Sequence, residues 1–189
     1  MSARLKTWAV AVACFVAAML VMILLQSHPL RAQVSDRPPF LEDPIDAFDI
    51  YQPDATAFSI WNSDDNPGHQ VWFRILGGDA QYQQRLRVYK EQAPPRPINE
   101  VPPLSELVLE IEQNAPTDWY FLGVESAFHT YYFDGDNRPP GFTNWDNAKA
   151  VRGQRTAYEN GDLYAIRFED LNTLDDYNDL EVEVVLVHR

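Results

Sequence analysis

The sequence is short of cysteine and of basic residues. It contains one Cys, at position 14, and 15 Lys and Arg residues against 28 Asp and Glu residues. Residues 33–189 therefore have no thiol, which excludes a disulfide framework and a cysteine nucleophile there. The shortage of basic residues disfavours a nucleic-acid binder, because affinity for a phosphate backbone comes mainly from Lys and Arg.

Acidic charge is concentrated after residue 32. Residues 1–32 contain Arg4, Lys6 and Arg31 but no acidic residue, which leaves 12 basic against 28 acidic side chains and a net charge of −16 in residues 33–189. This charge disfavours docking on an anionic membrane surface. Disorder is disfavoured as well, since 13% of the residues are aromatic and apolar residues recur along the chain. An acidic globular domain remains, and metal cations are its natural counter-ions.

The only long apolar run stands at the N-terminus and predicts export. Arg4 and Lys6 precede an unbroken apolar stretch over residues 8–25, as in a signal segment. We expect cleavage after Ala32. The alternative is an uncleaved anchor, because the 18 apolar residues can span a bilayer. Either route places the rest of the chain in the periplasm, at the cell surface or outside the cell, and confines membrane contact to residues 8–25.

The remaining chain is interpreted as a lead-in followed by one domain. Residues 33–55 contain four prolines and mostly acidic charge, so they are interpreted as a linker or lead-in. Short β-rich runs separated by turn residues then continue through residues 56–189. This pattern predicts an all-β domain, a jelly-roll-like antiparallel β-sandwich of about eight to ten strands. Residues 105–114 could form a helix, but their apolar residues recur with period two, which favours a strand.

The candidate chemistry lies in the acidic stretch FEDLNTLDDYND, residues 168–179. It holds five carboxylates, and no Lys or Arg occurs between residues 168 and 188. Ca²⁺ takes about six to eight oxygen ligands and tolerates irregular geometry, so this loop suits Ca²⁺ better than Mg²⁺. The alternative is a solvated acidic turn between two strands. The candidate ligands are Glu169, Asp170, Asp175, Asp176, Asn178 and Asp179.

The chain ends in the order YAIRFEDL, NTLD, DYND and LEVEVVLV. From about residue 117 onward, this order resembles a bacterial domain-of-unknown-function family found in secreted and surface proteins. The resemblance implies a calcium-associated β-sandwich without established catalytic activity. Members usually have another acidic residue two positions before the D-Y-N-D aspartate, where this chain has Leu174, so the implied ligand set is shorter or shifted. By position, the resemblance nominates Glu169, Asp170, Asp176, Asn178 and Asp179.

Two further stretches contain candidate binding residues. FDGDNR, residues 133–138, offers Asp134, Asp136 and Asn137, either as a second metal loop or as an ordinary Asx-Gly turn. Trp145 lies in a turn-rich stretch, where we expect it to be exposed and available to a carbohydrate ligand.

Enzyme signals are weak. No G-x-S-x-G motif surrounds a serine, and pairing two carboxylates of an acidic chain as glycosidase residues carries little information. We therefore predict an exported structural or adhesive module without catalytic activity, stabilised by Ca²⁺, whose partner is an unidentified protein or glycan. The alternative is a lectin-like carbohydrate-binding module, and a glycoside hydrolase comes third.

Overall fold

The computed structural model describes residues 33–35, 41–53, 55–62, 68–113, 115–125, 127–170 and 176–188. These belong to one compact unit, Ala32–Arg189. This part of the chain is all-β apart from one turn of 3₁₀ helix, Leu104–Glu106. The strands are β1 (Gln33–Ser35), β2 (Pro44–Pro53), β3 (Ala57–Asn62), β4 (His69–Gly77), β5 (Gln83–Glu91), β6 (Leu107–Ile111), β7 (Trp119–Glu125), β8 (His129–Arg138), β9 (Asp146–Asn147), β10 (Ala150–Tyr158), β11 (Gly161–Glu169) and β12 (Leu180–His188).

The strands form two antiparallel sheets. The seven-stranded sheet has the order β1-β7-β4-β12-β11-β10-β2, and the five-stranded sheet has the order β3-β8-β5-β6 with β9 paired to β8. The predicted all-β class is confirmed, with twelve strands among the described residues against the expected eight to ten. Residues 56–189 contain ten of them, and the two extra strands, β1 and β2, lie in the expected lead-in, residues 33–55.

The main hydrophobic core of the described residues contains side chains from both sheets. In β4 the alternate residues Val71, Phe73 and Ile75 are fully buried, as expected for a strand with one face toward a core. They share this core with buried side chains of the five-stranded sheet, among them Phe133. A Cβ atom on Gly135 of that sheet would lie 2.5 Å from the ring of Phe168 on the other, so the absence of a side chain allows the close approach.

The expected lead-in is corrected by β1 and β2, which form the two edges of the seven-stranded sheet. Strand β2 pairs with β10 along its length, and Ile50 packs against the core. Pro44 and Pro53 stand at its two ends. The edge position explains how a proline-rich, acidic segment can be a strand, because an edge tolerates proline and charge that a central strand excludes.

The strand predicted within residues 105–114 from their period-two pattern is confirmed by β6, Leu107–Ile111.

The predicted signal or anchor segment, residues 1–32, lies outside the described residues. In the part of the chain that the structure describes, no helix is long and apolar enough to cross a membrane.

Candidate metal centre

Three acidic side chains converge where β11 ends and β12 begins. Glu169 is the last residue of β11, Asp170 follows it, and Asp179 precedes β12. Antiparallel pairing of Phe168 with Leu180 brings the two ends of this loop together. The three carboxylates are 2%, 6% and 7% exposed, and each offers an oxygen within 4.8 Å of the other two. The chain therefore buries three acids in one small volume.

Backbone and side-chain amide N–H groups donate hydrogen bonds to all three carboxylates of this acidic triad, Glu169, Asp170 and Asp179. The Asp170 backbone N–H donates to Asp179 Oδ2 at 2.7 Å, and the Tyr177 N–H donates to Glu169 Oε2 at 3.3 Å. Gln84 Nε2, from β5 of the other sheet, donates to Asp170 Oδ2 at 3.0 Å. The triad thus connects the loop to both sheets.

The electrostatic environment of the triad disfavours its negative charge. Burial raises the pKa of Asp170, and the Glu169 charge raises it further, against the hydrogen bond from Gln84. Burial likewise raises the pKa of Asp179, and the neighbouring Asp170 adds to this. Among the described side chains, no Lys or Arg forms an ion pair with Asp170 or Asp179. A cation bound here would supply the missing charge.

Close backbone packing supports the loop from the end of β4. The Asp79 N–H donates to the Asn178 carbonyl oxygen at 2.9 Å. A Cβ atom on Gly78 would overlap the Asp179 carbonyl oxygen, so this position requires glycine. Tyr177 has a φ of 50°, in the left-handed region that non-glycine residues seldom adopt. A sharply turned backbone therefore delivers Asp179 to the triad.

Not every nominated residue joins the triad. Asp176 is exposed, and it lies outside the group of converging oxygens. The half-buried Asn178 reaches Asp79 Oδ1 at 3.1 Å and Asp176 Oδ1 at 3.3 Å when its amide nitrogen faces these two acceptors. Asp175 falls outside the described residues. Among the described nominated residues, Asp176 and Asn178 thus lie outside the triad of Glu169, Asp170 and Asp179.

The expected second metal loop is corrected, because Asp134, Asp136 and Asn137 lie within strand β8. Phe133 faces the core, so the alternation of a strand directs Asp134 and Asp136 to the other face. There Arg87 Nη2 lies 2.7 Å from Asp134 Oδ2, and Arg85 Nη2 lies 2.6 Å from Asp136 Oδ2. Guanidinium groups partly neutralise these carboxylates.

The charged form of Asp134 remains disfavoured despite its ion pair with Arg87. Within the described structure, neither of its carboxylate oxygens has a hydrogen bond of good geometry, so its contact with Arg87 is chiefly ionic. Burial and repulsion from Asp136 together outweigh the attraction of Arg87 and raise the pKa of Asp134 from 3.8 to about 7. Its charge therefore changes near neutral pH.

Gln84 is a site residue that the sequence reasoning missed. It pairs with Asn137 across β5 and β8, and the two residues are 3% and 2% exposed. Asn137, nominated for the second loop, thus lies beside the residue that contacts the acidic triad. A signal was available in the sequence, because Gln84, Leu86 and Val88 are spaced two residues apart. In a strand this spacing places the Gln84 amide on the same core-facing side of β5 as the two apolar residues.

Trp145 does not form the expected exposed platform. It is half-buried, and the guanidinium carbons of Arg85 and Arg138 lie 4.5 and 4.3 Å from its ring centroid. Tyr131 and Tyr132 are buried at 1% and 2% exposure. Because guanidinium groups already lie over the indole ring and the two tyrosines are buried, the geometry does not favour stacking of a sugar on these three aromatic side chains.

A second buried polar group joins the sheets at the opposite end of β4. The rings of His69 and His129 stack with centroids 5.1 Å apart, and Tyr131 Oη donates to Glu125 Oε1 at 2.7 Å. Lys90 Nζ also pairs with Glu125. Burial is the main cause that lowers the pKa of His69 to about 4, so this histidine is neutral at pH 7. The group is a polar bridge between β4, β5, β7 and β8.

The acidic triad is the strongest structural candidate for a metal site in this domain. The acidic triad is the one group of three or more metal-ligating His, Cys, Asp or Glu side chains within the described ranges. Its three buried acids offer only oxygen ligands. The chain matches no protein-family model, no curated protein and no solved structure.

Proposed function

We propose that residues 33–189 form an exported structural or adhesive module without catalytic activity, a jelly-roll-like sandwich stabilised by Ca²⁺ at its C-terminal acidic loop. The observation that carries this proposal is the convergence of three buried carboxylate oxygens within 4.8 Å. The resemblance of the FEDL and DYND motifs to a calcium-associated family of secreted and surface proteins supports the same ion and the same location.

The donor set suits Ca²⁺. Glu169, Asp170 and Asp179 supply hard anionic oxygens, and Gln84 supports Asp170 from β5 through its amide N–H. Ca²⁺ accepts an irregular shell of oxygen ligands, whereas Mg²⁺ requires near-octahedral geometry and retains several waters. An ion held by the triad would tie the β11–β12 loop to β5 and so close one end of the core. Its role in this proposal is structural.

Isothermal titration calorimetry of residues 33–189 with Ca²⁺ tests the proposal, with Mg²⁺ as the comparison. We expect one saturable site for Ca²⁺ and at least about tenfold weaker binding of Mg²⁺, because the three converging carboxylates are buried and Mg²⁺ gives up its waters reluctantly. The variant Asp179→Asn should lose the Ca²⁺ heat. Asp176→Asn, an equivalent change in the same loop at an exposed position, should retain most of it. The absence of a Ca²⁺ heat would refute the metal site.

Export is the second part of the proposal. The basic residues Arg4 and Lys6 ahead of the apolar stretch 8–25 support it. N-terminal sequencing of the protein recovered outside the cytoplasm should yield Gln33 as the first residue. Full-length chain in the membrane fraction would select the uncleaved anchor instead. Full-length chain recovered from the cytoplasm would contradict export.

A further inference from the structure

Two arginines face each other on the outer surface of the seven-stranded sheet. Arg152 of β10 and Arg167 of β11 are direct cross-strand partners. Like charges at such positions destabilise a sheet. Among the described side chains, the one acidic group that pairs with either arginine is Glu181, whose Oε2 lies 3.4 Å from Arg167 Nε. In the part of the chain that the structure describes, Arg152 forms no ion pair and no hydrogen bond. Two facing arginines with a single ion pair between them are unexpected in a domain with so few basic residues.

A cavity lies directly beside this arginine pair. Its volume is about 250 Å³, and it is lined by Asp49, Arg152, Gly153, Gln154, Ala165 and Arg167. In the next row of the sheet, Gln154 pairs with Asp49 on one side and with Ala165 on the other. Ala165 contributes only a methyl group, which leaves a hollow among the longer side chains. The arginine pair thus forms one wall of a preformed recess.

The lining has two chemical parts. Arg152 and Arg167 present planar guanidinium groups, which match a carboxylate in geometry and charge. Gln154 Nε2 donates to Asp49 Oδ1 at 3.1 Å, which leaves the second Asp49 oxygen and the Gln154 amide oxygen as acceptors for hydroxyl groups. An acidic residue in the lining disfavours a ligand that is negative all round, such as sulfate. It suits a ligand that combines one anionic end with neutral hydroxyls.

We propose that this recess binds a hydroxylated carboxylate of the uronic-acid class, with the carboxylate between Arg152 and Arg167 and hydroxyl groups on Asp49 and Gln154. The ligand carboxylate would offset the repulsion between the two facing arginine side chains. The site shares no residue with the acidic triad, so it stands or falls independently of calcium binding. It also differs from aromatic stacking on Trp145, because its recognition is by charge and hydrogen bonds.

Glucuronate is the probe that tests this site, with glucose and sulfate as comparisons. The full chain, kept in solution with mild detergent, is titrated with each compound and binding is followed by calorimetry. We expect saturable millimolar binding of glucuronate and at least about tenfold weaker binding of glucose and of sulfate, because charge-assisted bidentate contacts exceed neutral ones. Arg152→Gln and Arg167→Gln should each weaken glucuronate binding by about tenfold.

Arg155→Gln is the matched control, because it removes the same charge from β10. Arg155 points to the opposite face, where its Nη2 lies 2.8 Å from Asp162 Oδ1, and the control should bind glucuronate as the unmodified chain does. Thermal melts of Arg152→Gln and Arg167→Gln should show no loss of stability, since each variant removes a like-charge contact. An equal loss of binding in Arg155→Gln, equal affinity for sulfate, or no saturable binding of glucuronate would overturn the assignment.

Discussion

Millimolar Ca²⁺ is expected to raise the melting temperature of residues 33–189 by about 5–10 °C over the chelator-treated protein. An ion that binds only the folded state, at about a hundredfold excess over Kd, adds about 2.7 kcal/mol to the free energy of unfolding. In a domain of this size, each kcal/mol corresponds to about 2–4 °C. The stabilisation is concentrated at the triad, where two carboxylates are buried without a paired Lys or Arg among the described residues. Differential scanning calorimetry with Ca²⁺ and with chelator measures the difference.

Two asparagine variants separate the triad from the rest of the loop. Asp179→Asn should abolish most of the calcium-dependent shift in melting temperature, because Asp179 is a buried member of the triad. Asp176→Asn should leave the shift nearly intact, because Asp176 is exposed. Equal melting temperatures of the unmodified protein with Ca²⁺ and with chelator would contradict stabilisation of the loop by Ca²⁺. Equal effects of the two variants would contradict the assignment of the site to the buried carboxylates.

In the metal-free protein, Asp170 and Asp179 should contribute to the pH dependence of stability in the opposite direction from a carboxylate with a lowered pKa, such as Glu125. The folded-state pKa values of Asp170 and Asp179 are raised, so both groups bind protons more tightly in the folded protein. Their contribution to stability is present at acid pH and is lost as the pH rises through these values. Ca²⁺ requires the ionised carboxylates. The difference between the calcium-bound and metal-free melting temperatures should therefore increase from acid to neutral pH.

Much of the fold could be predicted from the sequence because strand periodicity is a local property. The alternation at Leu107, Leu109 and Ile111 was sufficient to identify β6 within a segment that could have been helical. The edge strand β2 was missed because its prolines and acidic residues resemble a linker. Only its pairing with β10 identifies it as part of the sheet, and such long-range pairing cannot be read from one segment.

The site could be predicted only in part. Density of acidic residues located the loop but did not distinguish Asp176 from Asp179, because their exposure depends on how the backbone turns at Tyr177. Gln84 joins the site across 86 positions of sequence. Asp134 and Asp136 were interpreted as a loop, since a D-G-D pattern is common in turns. Their partners Arg85 and Arg87 alternate in the same way on β5, yet only the register between β5 and β8 brings the charges together.

Arg87→Met is expected to lower the free energy of unfolding by about 3–5 kcal/mol at pH 8, because removing one partner of a buried ion pair leaves an uncompensated charge. Arg87 Nη2 lies 2.7 Å from Asp134 Oδ2, and Arg87 Nε lies 2.9 Å from Asp136 Oδ2. Both acids are almost fully buried, at 0% and 1% exposure. Methionine retains most of the aliphatic stem, so the loss reports on charge. Urea denaturation at a fixed calcium concentration measures it.

The effect of Arg87→Met should diminish as the pH falls, because the titration of Asp134 provides an alternative to the missing cation. The pKa of Asp134 is raised to about 7 even with Arg87 present, and removing the guanidinium group raises it further. A raised carboxyl pKa in the folded state means that stability is retained while the proton is bound and is lost as the pH rises through that value. The free energy of unfolding of the variant should therefore be much closer to that of the unmodified protein at pH 5 than at pH 8.

Adding Asp134→Asn to Arg87→Met should restore stability at pH 8, since the amide carries no charge. Arg167→Met is the control, because its ion pair with Glu181 is solvent-exposed and should contribute less than about 1 kcal/mol at either pH. A loss in Arg87→Met that is the same at pH 5 and pH 8, and that Asp134→Asn does not relieve, would show that Arg87 acts by packing rather than by neutralising the buried aspartates.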